Sequence, residues 1–352
     1  MLEMLTDHQI AALFGVGGGI LLGLAARLGR FCTLGAIEDL LYGGSDLRLR
    51  MWALAIGSGI LGSFALIAMG VLDPGDSFYL SIRWMPMASI LGGLMFGYGM
   101  ALSGNCGYGA IARLGGGDLR AFVIVLVMGV FTYVTLSGPL APLRNALFPQ
   151  IAVTSDTPPG LAHHAATLTG LPLGVIGLSI GALICVGALS GASLRRTPGA
   201  ILWSLVVGLA IVSGWAGTAW LAETGFEALP VVSHSFSAPL GETILFAMTG
   251  SLRPLSFAVG SVAGVWVGAF VGSMIRGHFR WEACEDPREL RRQILGAAIM
   301  GVGAVLAMGC TVGQGLSAFS LLSISAPVTF LAIFAGAALG LRQLIEGFRP
   351  AG

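Results

Sequence analysis

Long apolar runs alternate with short polar turns from one end of the chain to the other. Nine of them fall at about residues 10–26, 51–72, 86–103, 119–137, 172–192, 199–220, 254–275, 293–309 and 327–345. Each approaches the ~17–25 residues that a helix needs to cross the hydrocarbon core, so the pattern predicts nine transmembrane helices. Four more apolar stretches, at 31–41, 105–112, 238–249 and 311–320, are too short to cross. Each has Gly or Pro near its start, which predicts a short re-entrant helix that dips in and returns on the same side. The fold class is all-α and polytopic.

Charge placement tests the re-entrant reading. If only the nine long runs cross, fifteen arginines fall on one side of the membrane and three, Arg83, Arg144 and Arg253, on the other. Full crossings by the short segments would break up this segregation. By the positive-inside rule the N-terminus lies outside and the C-terminus in the cytoplasm, as for a multi-pass protein of the bacterial inner membrane. No charged n-region or cleavage site marks a removable signal, and Met1–Gln9 reads as a short tail before the first span.

The two ends of the chain echo one another. Aligned without a gap, Ile90–Cys106 and Ile294–Cys310 share seven identities in seventeen positions, ending on the cysteines. With the short segments placed by the charge count, the first two dips enter from the cytoplasm and the last two from outside. Related halves of opposite orientation predict an inverted-repeat transporter with its site near the midplane. The expected divisions are 1–150 for the first half, 151–198 for a linker loop and connecting helix, and 199–352 for the second half. The outer loop Gly138–Gly170 carries His163 and His164, read as solvated rather than liganding. Arg276–Arg292 reads as a solvated or headgroup-facing cytoplasmic loop, with partner docking as the alternative.

Composition narrows the class. Apolar residues make up 55% of the chain, charged residues 10%, and mean hydropathy is +0.88, which leaves too little charged surface for a soluble protein of this size. The net charge of +1 adds nothing to that. Many of the 55 glycines lie at helical spacing, as in Gly15, Gly19 and Gly23, or Gly92, Gly99 and the small Ser103, where they allow close helix approach. No P-loop or HExxH motif occurs, and acidic residues are scarce within the spans, although Glu38 and Asp39 sit in the first short segment. An ATP-driven pump and a zinc enzyme are disfavoured, and no metal or cofactor is expected.

Five cysteines without a CxxC pair argue against a disulfide framework and a zinc site. Three of them share one setting, Cys-x-x-Gly: Cys32 with Gly35, Cys106 with Gly109, and Cys310 with Gly313. Each follows a long run and opens a short helix, so unpaired backbone N–H groups and the helix dipole favour an anion there and activate the thiol. Gly107, Gly109 and Gly313 permit close backbone approach, and Asn105 and Gln314 carry amides that suit either oxyanion atoms or helix-end packing. Ser237, in the fourth short segment, lies 73 residues before Cys310, against 74 between Cys32 and Cys106. It reads equally as the repeat partner of Cys32 or as a helix cap. Arg27 and Arg30 either snorkel to the cytoplasm or draw an anion to the inner exit. Cys185 reads as a small core residue and Cys284 as an incidental loop thiol.

Across Gly29–Ala36, Ser103–Leu114, Ser235–Gly241 and Met308–Ser317 the chain resembles the YeeE/YedE family of sulfur-compound transporters, and the spacing of these motifs covers nearly its whole length. The resemblance implies a transporter rather than an enzyme: thiosulfate uptake, an hourglass of inverted halves, and essential cysteines falling on Cys32, Cys106 and Cys310. It also implies a small TusA-like sulfurtransferase as cytoplasmic partner, and for some branches a selenium or other sulfur compound as substrate. The inferred orientation predicts that Cys310 receives the ion first, Cys106 holds it and Cys32 passes it inward. A membrane thiol oxidoreductase and a soft-metal transporter are the competing classes. The first lacks a visible CxxC, and the second lacks a methionine cluster around the thiols.

Overall fold

The computed structural model describes residues 6–153, 158–283 and 286–347; Cys284 and the first five residues lie outside them. Sixteen α-helices run in chain order: α1 (Asp7–Leu28), α2 (Thr33–Leu41), α3 (Leu47–Ala68), α4 (Phe78–Ser81), α5 (Pro86–Ser103), α6 (Gly107–Gly115), α7 (Leu119–Leu136), α8 (Ala141–Leu147), α9 (Leu161–Thr169), α10 (Leu173–Leu189), α11 (Ala192–Arg195), α12 (Pro198–Thr224), α13 (Ala238–Thr249), α14 (Phe257–Ile275), α15 (Pro287–Leu306) and α16 (Ser325–Glu346). A π-helical segment, Gly313–Ala318, lies between the last two. Only isolated β-bridges, and no strand, occur among the described residues.

All nine long apolar runs coincide with a helix: α1, α3, α5, α7, α10, α12, α14, α15 and α16. Seven spans among the described residues are long and apolar enough to cross a bilayer, or eight if α9 and α10, bent by 119° at their junction, count as one. The protein is an all-α polytopic membrane protein. α15 fails that test because its first two turns carry Arg288, Glu289, Arg291 and Arg292.

The short segments form where the sequence places them, but the first two do not fold back. α1 and α2 run on as one apolar stretch, Asp7–Leu41, and α5 and α6 as another, Pro86–Gly115. These are broken helices. In such an arrangement the second piece keeps its own exposed N-terminus inside the protein, where a re-entrant hairpin would pack it against the piece before.

Glycine decides how the helices pack. A methyl group on Gly15, Gly19 or Gly23 of α1 would lie 2.3–2.5 Å from a carbonyl oxygen of α14, and Gly260, Gly264 and Gly268 of α14 face α1 equally closely. The backbones meet because neither helix carries side chains on that seam, and dispersion rather than the hydrophobic effect then holds them in lipid. Gly92 and Gly99 of α5 meet α15 in the same way, through Gly303 and Gly296. The packing also repeats on exchange. α1 lies on α14 as α12 lies on α3, α5 on α16 as α15 on α7, and α5 on α15 and α1 on α12 pair with themselves.

One loop residue, His163, differs from expectation. His163 is half-buried beside Gly160, with its Nδ1 unpartnered, while His164 is exposed. Burial holds the His163 imidazole below its usual pKa, helped by neighbouring His164 and opposed by Asp73. The loop after α14 is exposed, as expected, and is also tied to the turn between α6 and α7. Arg280 and Glu282 donate backbone N–H groups to Gly116 and Gly117, and Leu119 donates to Glu282. Arg120 contacts Asp118, Glu282 and Glu289 around the same turn.

Candidate functional site

The cysteine sites are built by one repeated backbone device. A left-handed residue stands two positions before each thiol: Arg30 (φ 53°), Gly104 (φ 75°) and Met308 (φ 55°). This conformation ends the preceding helix, and the chain then turns extended at Cys32 and Cys106 before the next helix begins. At Arg30 and Met308 a side chain occupies the left-handed region, which costs roughly 1–2 kcal/mol per residue.

The thiols become N-caps. Gly35 N–H donates to the Cys32 sulfur at 3.5 Å, Gly109 to Cys106 at 3.4 Å and Gly313 to Cys310 at 3.4 Å. Cys106 and Cys310 are buried and Cys32 is partly exposed. Cys106 lies within electrostatic range of both other thiols; Tyr108 neighbours Cys106 and Cys32, and Tyr79 neighbours Cys310.

Next to each thiol is a buried polar side chain with an unused hydrogen-bonding atom: Thr33 Oγ1, Asn105 Nδ2 and Thr311 Oγ1. The Thr311 hydroxyl is turned toward Cys106 but reaches no partner at hydrogen-bonding distance. Leaving such groups unpaired costs about 1–3 kcal/mol each, so one beside each thiol suits a polar guest.

The glycines of the three motifs have different neighbours. A Cβ at Gly35 would lie 2.2 Å from Arg48 Nη1; at Gly313 it would lie 2.7 Å from Ser235 Oγ and 3.0 Å from Tyr79 Oη; at Gly109 it would meet only ordinary contacts. The Gly35 turn is thus lined by a guanidinium and the Gly313 turn by hydroxyls. Tyr79 and Ser235 also line a cavity of about 570 Å³, with Trp215, Ser237, Glu242 and Arg253 among its other walls. Its walls include His8 and Ala11 of α1, so it opens on the face that carries the start of α1.

Several expected site residues are engaged away from the thiols. Gln314 is committed elsewhere: its amide nitrogen donates to the Ala307 and Met308 carbonyls, and its oxygen accepts from Ser325. It seals the broken end of α15, so its packing role is the one observed. Ser237 makes no capping hydrogen bond, and Ser235 is the residue that approaches the Cys310 sulfur, at 3.8 Å. The Phe236 N–H also donates to that sulfur, at 3.2 Å. Gly107 packs below the Phe236 carbonyl, 2.6 Å from where a Cβ would sit. Arg27 turns away from Cys32 onto Gly116, near Arg113, Asp118 and Glu282. Arg30 is exposed. Cys185 packs its sulfur on Gly57, joining α10 to α3.

Ser235, Tyr79, Thr33, Thr311 and Arg48 are additions that the sequence reading missed. Thr33 and Thr311 occupy the same place in two Cys-Thr-x-Gly motifs, a signal available in the sequence. Arg48 and Tyr79 come from other helices, α3 and α4, and leave no such signal. Among the described residues no group of three or more His, Cys, Asp or Glu side chains could hold a metal ion.

The sequence profile of the family described as Sulphur transport matches residues 28–339. The thiosulfate transporter TsuA of Escherichia coli (strain K12) is 26% identical over 317 residues, 86% of this chain and 86% of that protein. TsuA of Spirochaeta thermophila is 25% identical over 324 residues, 87% of this chain and 91% of its own. A shorter match, 30% identical over 104 residues, covers 30% of this chain and 23% of the probable transporter YedE of Salmonella typhimurium.

Proposed function

Since the chain belongs to the sulphur-transport family, we propose that it takes up thiosulfate, or a closely related small sulfur-containing anion, through Cys310, Cys106 and Cys32 in that order. The observation that carries this reading is the set of three capped thiols, each with an unpaired polar group beside it. Thiosulfate spreads two charges over three oxygens and a soft terminal sulfur. Helix-end N–H groups and the Asn105 amide suit the oxygens, and a polarisable S–H suits the sulfur. One helix end stabilises a charge by roughly 0.3–2 kcal/mol, so several such sites in series hold the ion without trapping it, as conduction requires.

The direction follows from the proposed orientation, with the N-terminus outside and the C-terminus in the cytoplasm of a bacterial inner-membrane protein. The cavity then receives the ion from outside, and Cys32 releases it inside to a TusA-like sulfurtransferase. The exchange-related helix packing supports two inverted halves, 1–150 and 199–352, joined through 151–198. The alternatives are a selenium or other sulfur compound as cargo, or thiol oxidoreduction.

Uptake of sulfur-labelled thiosulfate in cells lacking other importers tests the proposal. Cys106→Ala and Cys310→Ala should each abolish it; undiminished uptake in both sinks the relay. A reversible Cys106–Cys310 disulfide that tracks activity would instead favour the oxidoreductase.

A further inference from the structure

The Cys-x-x-Gly segment at Cys32 differs from the other two by a charge. Arg48, in the first turn of α3, reaches back over α2 and contacts Asp39 through its Nε, at 3.2 Å from Oδ2. Its Nη1 lies where a side chain on Gly35 would begin, 2.2 Å from the ideal Cβ. The same Gly35 donates its N–H to the Cys32 sulfur. The guanidinium therefore spans α2 from Asp39 to the turn that caps Cys32, and glycine at 35 is what admits it. Arg48 makes no side-chain hydrogen bond besides the Asp39 contact among the described residues. Thr33 places a second polar group there: it is buried, directly follows Cys32, and its hydroxyl has no partner.

Arg48 and Asp39 are each about 30% exposed, at 28% and 32%. An ion pair at that depth is weak, typically under ~1 kcal/mol, and a dianion arriving at Cys32 is a stronger claimant for a guanidinium than a half-solvated carboxylate. Planar guanidinium donors also suit an oxyanion better than a lysine ammonium does. Neither of the other two motifs has a cation in this place: Gly109 meets Asn105 and Cys106, and Gly313 meets Ser235 and Tyr79.

We propose that Arg48 is the anion-receiving residue at the inner end of the path, and that Asp39 competes with the passing anion for it and so releases the anion to the cytoplasm. The assignment rests on the anion-uptake reading and its orientation. The carboxylate is displaced from Nε as the anion binds the guanidinium, and it returns as the anion leaves. Arg48 supplies attraction, and Asp39 keeps that attraction from becoming a trap.

The local potential at Cys32 can be read without any substrate. In inside-out vesicles carrying the Cys185→Ser, Cys284→Ser background, the Cys32 thiol is modified by two methanethiosulfonate reagents, one anionic (sulfonatoethyl) and one cationic (trimethylammonioethyl). Arg48→Gln should lower the anionic-to-cationic rate ratio about tenfold, Arg48→Lys should keep most of it, and Asp39→Asn should raise it. A ratio unchanged in Arg48→Gln, with both rates rising together, would make Arg48 a mere clamp of α2 and overturn the proposal. If Arg48→Gln does not fold, an unchanged ratio in Asp39→Asn overturns it equally. In proteoliposomes, Arg48→Gln should also raise the half-saturating thiosulfate concentration at the cytoplasmic face at least about fivefold and leave the outer value alone. A wild type that moves no thiosulfate defeats the substrate reading, and the reagent ratio still decides the role of Arg48.

Discussion

The backbone of Phe236 lies between Cys310 and Gly107: its N–H donates to the Cys310 sulfur at 3.2 Å, and its carbonyl lies 2.6 Å from where a Cβ on Gly107 would sit. One residue just ahead of α13 thus sets the spacing of two cysteine turns from opposite halves of the chain. The Phe236 ring adds to this by packing on Tyr108 at 5.5 Å.

Gly107→Ala should disturb both turns at once. The new methyl has backbone on one side and Met128 on the other, and overpacking of this kind costs roughly 1–3 kcal/mol. Gly109→Ala meets only ordinary contacts and should be tolerated. Thermal unfolding in detergent and labelled uptake measure the difference; equal effects would show that the Phe236 contact does not set the spacing.

Cys310→Ser and Cys310→Ala should separate. The sulfur accepts N–H groups from Gly313 and Phe236. Serine retains an acceptor, whereas alanine leaves buried donors unpaired at about 1–3 kcal/mol. The alanine variant should melt lower than the serine variant.

Two glycines two residues apart on α1 should behave oppositely. Gly19→Ala puts a methyl 2.5 Å from the Ser261 carbonyl of α14 and should cost roughly 1–3 kcal/mol. Gly17→Ala meets nothing within 4 Å and should be neutral or stabilising by up to ~1 kcal/mol from helix propensity. Melting temperatures of the two variants give the check.

Arg30 holds its left-handed backbone at φ 53°, so shape and charge can be separated there. Arg30→Gly should be at least as stable as Arg30→Ala, by up to ~1–2 kcal/mol. Comparable uptake by the glycine variant and wild type would assign Arg30 a conformational role alone.

The half-buried His163 predicts a pH dependence. Its folded pKa lies below the usual 6.5, so the unfolded chain takes up the proton first as pH falls. Stability is fully present above about pH 6.5 and is lost as pH drops from there toward the folded pKa. His163→Gln should flatten the slope of melting temperature between about pH 7 and pH 5; an unchanged slope would assign it to other groups.

The sequence alone determined the class, the location of the nine long helices, and the three Cys-x-x-Gly turns. Those features are local: a run of apolar residues must become a helix in lipid because no other backbone partner exists there, and a glycine after a cysteine leaves its mark within a few positions. The repeat was legible for the same reason, since Ile90–Cys106 and Ile294–Cys310 can be laid side by side. Tertiary structure alone decided what surrounds each turn. Arg48 comes to Gly35 from α3, Tyr79 and Ser235 come to Gly313 from separate segments, and Gln314 spends its amide on carbonyls that only the broken end of α15 exposes. Whether a short apolar segment folds back or runs on as a broken helix was also beyond the sequence. Both use the same apolar residues and the same glycine, and the outcome depends on which neighbouring helices, α3 and α16 for α2 and α14 and α7 for α6, are there to receive it.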